Sequence, residues 1–215
     1  FEVIEISGYL QEEKLQIARQ LAARGHDLVL VARRGDRLDK LAAELRARHG
    51  IKATVVSADL SCDEGIVPVE EWIKSSGDLT VLVNNAGFGS GGLYYQTDAE
   101  KQVAMVHVHV VAVARLTRAA LPGMVQRGRG EIINVASVAA FATVPTSAMY
   151  GSTKAWMVSF TRAIALELAG TGVRVQALCP GFTRTEFHDT LAYKDFDRSV
   201  VPDFLWMPAE RVVQT

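Results

Sequence analysis

Asp27-Leu28-Val29-Leu30-Val31-Ala32 is an unbroken apolar run after a single acid, and the fold turns on how it is read. A strand with one wet face alternates polar and apolar residues. A run with no polar position marks a parallel strand covered by helices on both faces. The flanks agree with that reading. Upstream, Leu15, Ala18, Leu21 and Ala22 recur at helical spacing between Lys14 and Arg24, and Gly25 stands where a left-handed cap is expected. Downstream, Arg37–His49 reads as a second helix stopped by Gly50, and Ile51–Val56 as the next strand.

The alternation continues outward. Val3–Ile6 is a short β-branched strand, Glu64–Ser75 a helix weakened by Pro68, and Leu79–Val83 a strand. A long helix is expected from Asp98 to Gln126, interrupted near Pro122-Gly123, followed by a strand at Glu131–Val135, a helix at Met149–Ala169 and a strand at Val173–Leu178. Beyond that, periodicity is lost until a possible helix at Pro208–Val213. Six strands alternating with helices predict an α/β fold, a single-domain doubly wound parallel sheet of the Rossmann-like kind, with ligands bound beyond the carboxyl ends of the strands. With no repeat, low-complexity tract or linker, residues 1–215 read as one domain.

Composition narrows the function. Of 215 residues 49% are hydrophobic and 22% charged, and 23 Lys+Arg against 24 Asp+Glu give a net charge of −1. That balance excludes a basic footprint for nucleic acid or a polybasic membrane patch. Two cysteines, Cys62 and Cys179, are too few for a disulfide framework and point to a reducing, cytoplasmic setting. The most apolar stretch, Val103–Ala114, has 12 residues and carries His107 and His109. A membrane span needs about 18–20, so a buried helix is expected instead. The opening Phe1-Glu2-Val3-Ile4-Glu5 is acidic where a signal peptide is basic.

The chemistry concentrates in Tyr150-Gly151-Ser152-Thr153-Lys154, with Ser137 upstream. Tyr150 and Lys154 are separated by one helical turn, so both side chains leave the same face. A free tyrosine, with a pKa of about 10, is a poor acid or base at neutral pH, and a neighbouring ammonium stabilises its phenolate. Ser137 follows the apolar strand Glu131–Val135, at the edge where its hydroxyl can bond a substrate carbonyl oxygen. No Gly-x-Ser-x-Gly, His-Glu-x-x-His, Cys-x-x-Cys or Walker pattern occurs, and no metal is expected.

Ser137, Tyr150 and Lys154, with Asn84-Asn85-Ala86-Gly87 after one strand and Pro180-Gly181 after another, resemble the short-chain dehydrogenase/reductase family. Leu116–Met124 (LTRAALPGM) and the stretch EIINVASVAA are phrased as in that family, and the similarity runs from about Leu15 to Glu186. The resemblance implies hydride transfer between a nicotinamide cofactor and the carbonyl or alcohol group of a small substrate. By it, Tyr150 is the general acid/base and Ser137 polarises the substrate oxygen. Lys154 lowers the tyrosine pKa and holds the nicotinamide ribose. Asn84, Asn85, Ala86 and Gly87 line the cofactor, Asp59 and Leu60 contact adenine, Pro180 and Gly181 also bind the cofactor, and Thr183 and Thr185 lie near the nicotinamide. Residues 182–207 then form a substrate-covering segment, and assembly as a homodimer or homotetramer through the two long helices is implied. Phe88, Phe141, Met149, Phe182, Phe187, Phe204 and Trp206 suggest an apolar substrate. Arg33 and Arg34 end the strand after Ala32, where an acid would bind a ribose 2′-OH and arginine a 2′-phosphate, so NADP(H) is favoured over NAD(H).

Three departures from the family pattern stand out. The glycine-rich turn Thr-Gly-x-x-x-Gly-x-Gly aligns with Ser7 to Lys14; Gly8 is retained, but Glu12 and Lys14 replace the other glycines. Backbone N–H groups approach a pyrophosphate there, and acids at that place repel it. The alternative expectation is therefore a catalytically silent binding or scaffold protein. The position of an asparagine that serves a water relay is His109, which reads either as a relay or as a satisfied core histidine. Finally, the family continues into a further helix and a seventh strand, and the chain has no initiator Met, so a longer protein is expected.

Overall fold

All five residues of strand β2, Leu28–Ala32, are buried, as a strand sandwiched between two helical layers must be. The computed structural model describes residues 2–5, 12–184 and 206–208. Around β2 lie β1 (Glu2–Glu5), helix α1 (Glu12–Ala23), α2 (Gly35–His49), β3 (Ala53–Ser57), α3 (Asp63–Ser75) and β4 (Val81–Asn84). Helices α4 (Ala99–Val106) and α5 (Val113–Arg127), β5 (Gly130–Val135), α6 (Ala148–Glu167) and β6 (Val173–Leu178) follow. The sheet is parallel in the order β3-β2-β1-β4-β5-β6. Strand order reverses between β1 and β4, which is where an open α/β sheet leaves a ligand crevice. The parallel α/β architecture expected from the sequence is the one observed.

Alternate residues of β2 serve the two layers. Leu28, Leu30 and Ala32 pack with Ile17 and Ala18 of α1 and with Leu38, Leu41 and Leu45 of α2. Val29 and Val31 pack on the opposite face with Ile66, Val69 and Ile73 of α3 and with Leu116, Ala120 and Met124 of α5. Helix α2 ends as its sequence requires, with Gly50 at φ 68° returning its N–H to the Arg46 carbonyl.

The long helix differs from the expected one. It runs through Pro122 to Arg127, and its irregularity is a π-helical turn at His107–Ala112 between α4 and α5. Proline removes one backbone bond, but Leu116, Ala119, Ala120 and Met124 are buried around it and hold the helix through the gap. Pro68 inside α3 is tolerated in the same way by buried Ile66, Val69 and Ile73. The combined helix, Ala99–Arg127, has 29 residues and is long and apolar enough by length and composition to cross a membrane, longer than the 12-residue stretch suggested. Val108, Ala112, Leu116 and Met124 seat it in the sheet core, so it is a buried core helix.

An ion network ties α3 to α5. Arg115 donates to Glu70 through Nε (3.0 Å) and Nη2 and to Asp63 through Nη1 (3.0 Å), while Lys74 holds the other Glu70 oxygen at 2.8 Å. The hydrogen bond from Lys74, then that from Arg115, hold the Glu70 carboxyl below the ordinary carboxylate range. A carboxylate depressed on folding stabilises the native state above its unfolded pKa, and the contribution disappears as pH falls through the folded value. Glu70→Gln is expected to cost on the order of 1 kcal/mol at pH 7. Melting curves of the two proteins should converge as pH drops below the carboxylate range, and a gap that persists there would contradict this account.

Residues 6–11, and with them Gly8 of the altered turn, lie outside the described residues, as do Thr185, Phe187, Phe204 and all of 185–205. The ends that flank 185–205 are described: β7 (Phe182–Arg184) and β8 (Trp206–Pro208) pair in parallel, a pairing the sequence reading did not foresee.

Candidate active site

The exits of β5 and β6 are laced together, and this positions Ser137. Ala136 N–H donates to the Leu178 carbonyl (2.7 Å) and Val138 N–H to the Pro180 carbonyl (3.0 Å). Between them Ser137 caps a short 3-10 turn, Val138–Phe141, its Oγ accepting from Ala139 N–H at 3.2 Å. That bond uses a lone pair and leaves the hydroxyl proton to be donated. Cys179 lies on the same floor, and burial pushes its thiol up, so it is a poor nucleophile.

Tyr150 lies in the first turn of α6, and Lys154 follows one turn on. Lys154 is buried, 5% exposed, and its Nζ donates to the Val135 carbonyl at 2.7 Å. A buried ammonium needs such a partner to offset its desolvation. The same Nζ is 5.8 Å from the centre of the Tyr150 ring. Ser137, Tyr150 and Lys154 thus gather at the carboxyl end of β5.

His109, fully buried in the π-helical turn, faces this group. Its ring lies 5.9 Å from that of Tyr150, edge to face, and 6.0 Å from that of Phe88. Nε2 accepts from Phe88 N–H at 3.2 Å, and Nδ1 is 2.9 Å from Thr153 Oγ1. Gly87 makes this approach possible. A Cβ there would stand 2.8 Å from His109 Nε2 and 3.7 Å from Lys154 Nζ. With both ring nitrogens engaged by protein groups, a water relay through His109 would require one of these bonds to break.

The Asn84–Gly87 stretch divides between fold and site. Asn84 Nδ2 donates to Asn134 Oδ1 (2.7 Å) and Thr117 Oγ1 (3.2 Å), and Asn134 passes the chain on to Thr161 (2.8 Å), beneath α5 and α6. Asn85 is 7% exposed, and its buried Nδ2 has no hydrogen-bond partner. Ala86 is buried, and Gly87 lies where an added Cβ would meet both His109 and Lys154. At the other side of the crevice, Arg33 and Arg34 follow β2. The Arg33 side chain is 52% exposed and pairs with Asp59 across 3.8 Å, while Asp59 Oδ1 accepts from Ser61 N–H and Oγ. Leu60 is 1% exposed and belongs to the core, so its side chain has no surface to offer adenine. The Pro180 carbonyl is used by Val138, Gly181 follows it, and Thr183 lies in β7.

These groups fit a dinucleotide. Arginines stand at the end of β2, an acid follows β3, an unpartnered buried amide lies at Asn85, and a glycine whose Cβ would be crowded follows β4, all at the strand ends beside the β1/β4 reversal. Sequence reasoning missed Thr153, Asn134 and the Val135 carbonyl. Asn134 had a signal, a polar residue inside the apolar strand EIINV; Thr153 had only its adjacency to Lys154.

Comparison with known proteins gives concordant results. The family model described as short chain dehydrogenase matches residues 15–195. A short-chain dehydrogenase from Sphingobium yanoikuyae, solved in complex with NADPH, superposes with a TM-score of 0.89 at 34% identity, over 100% of this chain and 82% of that one. L-Sorbose reductase from Gluconobacter frateurii, solved with NADPH and L-sorbose, gives 0.84 at 32% identity, over 99% and 86% of the two chains. An inactive 2-(S)-hydroxypropyl-CoM dehydrogenase 2 from Xanthobacter autotrophicus is 36% identical over 166 residues, 77% of this chain and 70% of its own.

Proposed function

Because the chain belongs to the short-chain dehydrogenase/reductase family of NAD(P)-dependent oxidoreductases, we propose that it reduces the carbonyl group of a small apolar substrate, or oxidises the matching alcohol, with NADP(H) as cofactor. The observation that carries this reading is the buried Lys154 ammonium beside the Tyr150 ring, next to Ser137 at the end of β5. When bound, the reduced nicotinamide supplies the hydride.

In the reductive direction Ser137 donates its hydroxyl proton to the substrate oxygen as a hydrogen bond. Tyr150 gives its phenolic proton to the same oxygen and becomes a phenolate. The Lys154 ammonium favours that phenolate, and with three N–H donors it can keep the Val135 carbonyl and still face the ribose and Tyr150. Phe88, Phe141 and Met149, in segments flanking this group, supply apolar surface for the substrate. By family analogy the assembly is a homodimer or homotetramer through the long helices, and Leu166 of α6, 80% exposed, is apolar surface suited to it.

Cofactor choice follows from Arg33 and Arg34. The exposed Arg33–Asp59 pair is weak, so the guanidinium can turn to a 2′-phosphate at little cost. Replacing both arginines by alanine is expected to weaken NADPH binding roughly 10–100-fold, the value of one or two charge-assisted bonds, and to leave NADH binding nearly unchanged. Titration followed by nicotinamide fluorescence tests both points. Preference for NADH in the parent protein would overturn the cofactor assignment. Binding of neither nucleotide would favour a second reading, a catalytically silent relative. Glu12 at the start of α1, where the family has glycine, and the inactive relative from Xanthobacter favour that reading.

A further inference from the structure

His109 has one protonation pattern that satisfies its neighbours. The Phe88 amide is always a donor, so Nε2 presents a lone pair. A neutral imidazole then carries its proton on Nδ1 and donates to Thr153 Oγ1. Thr153 spends its own hydroxyl proton on the Tyr150 carbonyl at 2.9 Å. The assignment made at one end of the chain thus agrees with that made at the other. Three bonds run in series, Phe88 N–H to His109, His109 Nδ1–H to Thr153, and Thr153 O–H to the Tyr150 backbone.

We propose that His109 is a positioning residue, a neutral Nδ1–H imidazole that braces the Gly87–Phe88 turn after β4 against the α6 turn carrying Tyr150 and Lys154. This rests on the oxidoreductase reading, in which the first turn faces the cofactor and the second the substrate oxygen. The absence of a side chain at Gly87 lets the next amide reach Nε2. The ring is fully buried, with no nitrogen left for a water. Its contribution is therefore geometric: it sets the spacing between the cofactor-side turn and the proton donor, and proton delivery does not pass through it.

Links in series make a specific prediction. Asparagine at 109 ends near the position of Nδ1 and falls short of Phe88. Valine at 153 cuts the chain on the other side. His109→Asn and Thr153→Val should each lower kcat about tenfold, on the scale of one buried hydrogen bond, with substrate KM little changed. The double variant should lose no more than the worse single variant, because a brace already cut cannot be cut again. A multiplicative loss near a hundredfold would overturn the brace. So would wild-type kcat in His109→Asn, the result a water relay predicts. Nitrogen-15 spectra of the unsubstituted protein give a readout independent of activity and of variant folding. They should give a pyrrole-like Nδ1 and a pyridine-like Nε2, and the opposite tautomer would overturn the proposal. If the protein has no reductase activity, the proposed function fails, and the spectra still decide the brace.

Discussion

Tyr150→Phe should lower the turnover of carbonyl reduction by about 10²–10⁴-fold, the range contributed by a positioned general acid, while leaving nucleotide affinity within a small factor. The substitution removes a single oxygen. The ring that meets the edge of His109 remains, and so do the Thr153 bond to the backbone carbonyl and the Lys154 bond to Val135. The substitution therefore tests the phenolic oxygen while the ring and the lysine anchor stay in place. A fall in kcat and kcat/KM together, with unchanged NADPH titration, would mark an interaction made in the transition state. Reduction retained within tenfold would remove Tyr150 from the chemistry and move attention to the Ser137 hydroxyl.

A large effect on stability is expected at Gly65→Ala. Gly65 lies in the first turn of α3, and a Cβ there would stand 1.9 Å from the Asp59 carbonyl oxygen and 2.5 Å from its carbon. These are backbone atoms, which cannot rotate away as a flexible side chain would. The helix start and the loop after β3 must separate, and that pulls on Leu60 and Ile66, both buried in the same core. Overpacking of this kind costs about 3 kcal/mol or more when backbone must move. The urea midpoint should fall accordingly with little change in slope. Gly77 is the control: a Cβ there meets nothing within 4 Å, and Gly77→Ala should leave the midpoint close to that of the parent. If the two variants unfold alike, the close approach at Gly65 does not exist.

Much of the fold was legible because two-sided burial leaves a mark on composition. Leu28–Ala32 has no polar position since neither face meets water, and Gly50 announces the end of α2 because few other residues take its backbone angles. The Tyr150–Lys154 pair was legible because its spacing is local. What escaped was set by contacts distant in the chain. The Asn84–Asn134 bond joins residues 50 apart and the His109–Thr153 bond residues 44 apart, and no local pattern specifies either. The π-helical turn has the same apolar spacing as an ordinary helix, so HVHVVA does not betray it. Pro122 signals a break on propensity alone, and burial on both sides of it prevails over that signal.

The order of the strands gives β1 a role out of proportion to its length. It pairs with β2 on one side and β4 on the other, so the four residues Glu2–Glu5 are the seam between a β2–β3 half and a β4–β5–β6 half. Arg33, Arg34 and Asp59 ride on the first half. Gly87, Ser137, Tyr150 and Lys154 ride on the second. The distance between the proposed nucleotide-discriminating end of the crevice and the proposed proton-transferring end is therefore measured along one short ladder. A slip of β1 by a single residue against either neighbour would displace one end relative to the other by about 3.3 Å, more than the length of a hydrogen bond. In this sheet the alignment of the two groups of residues is a matter of strand register.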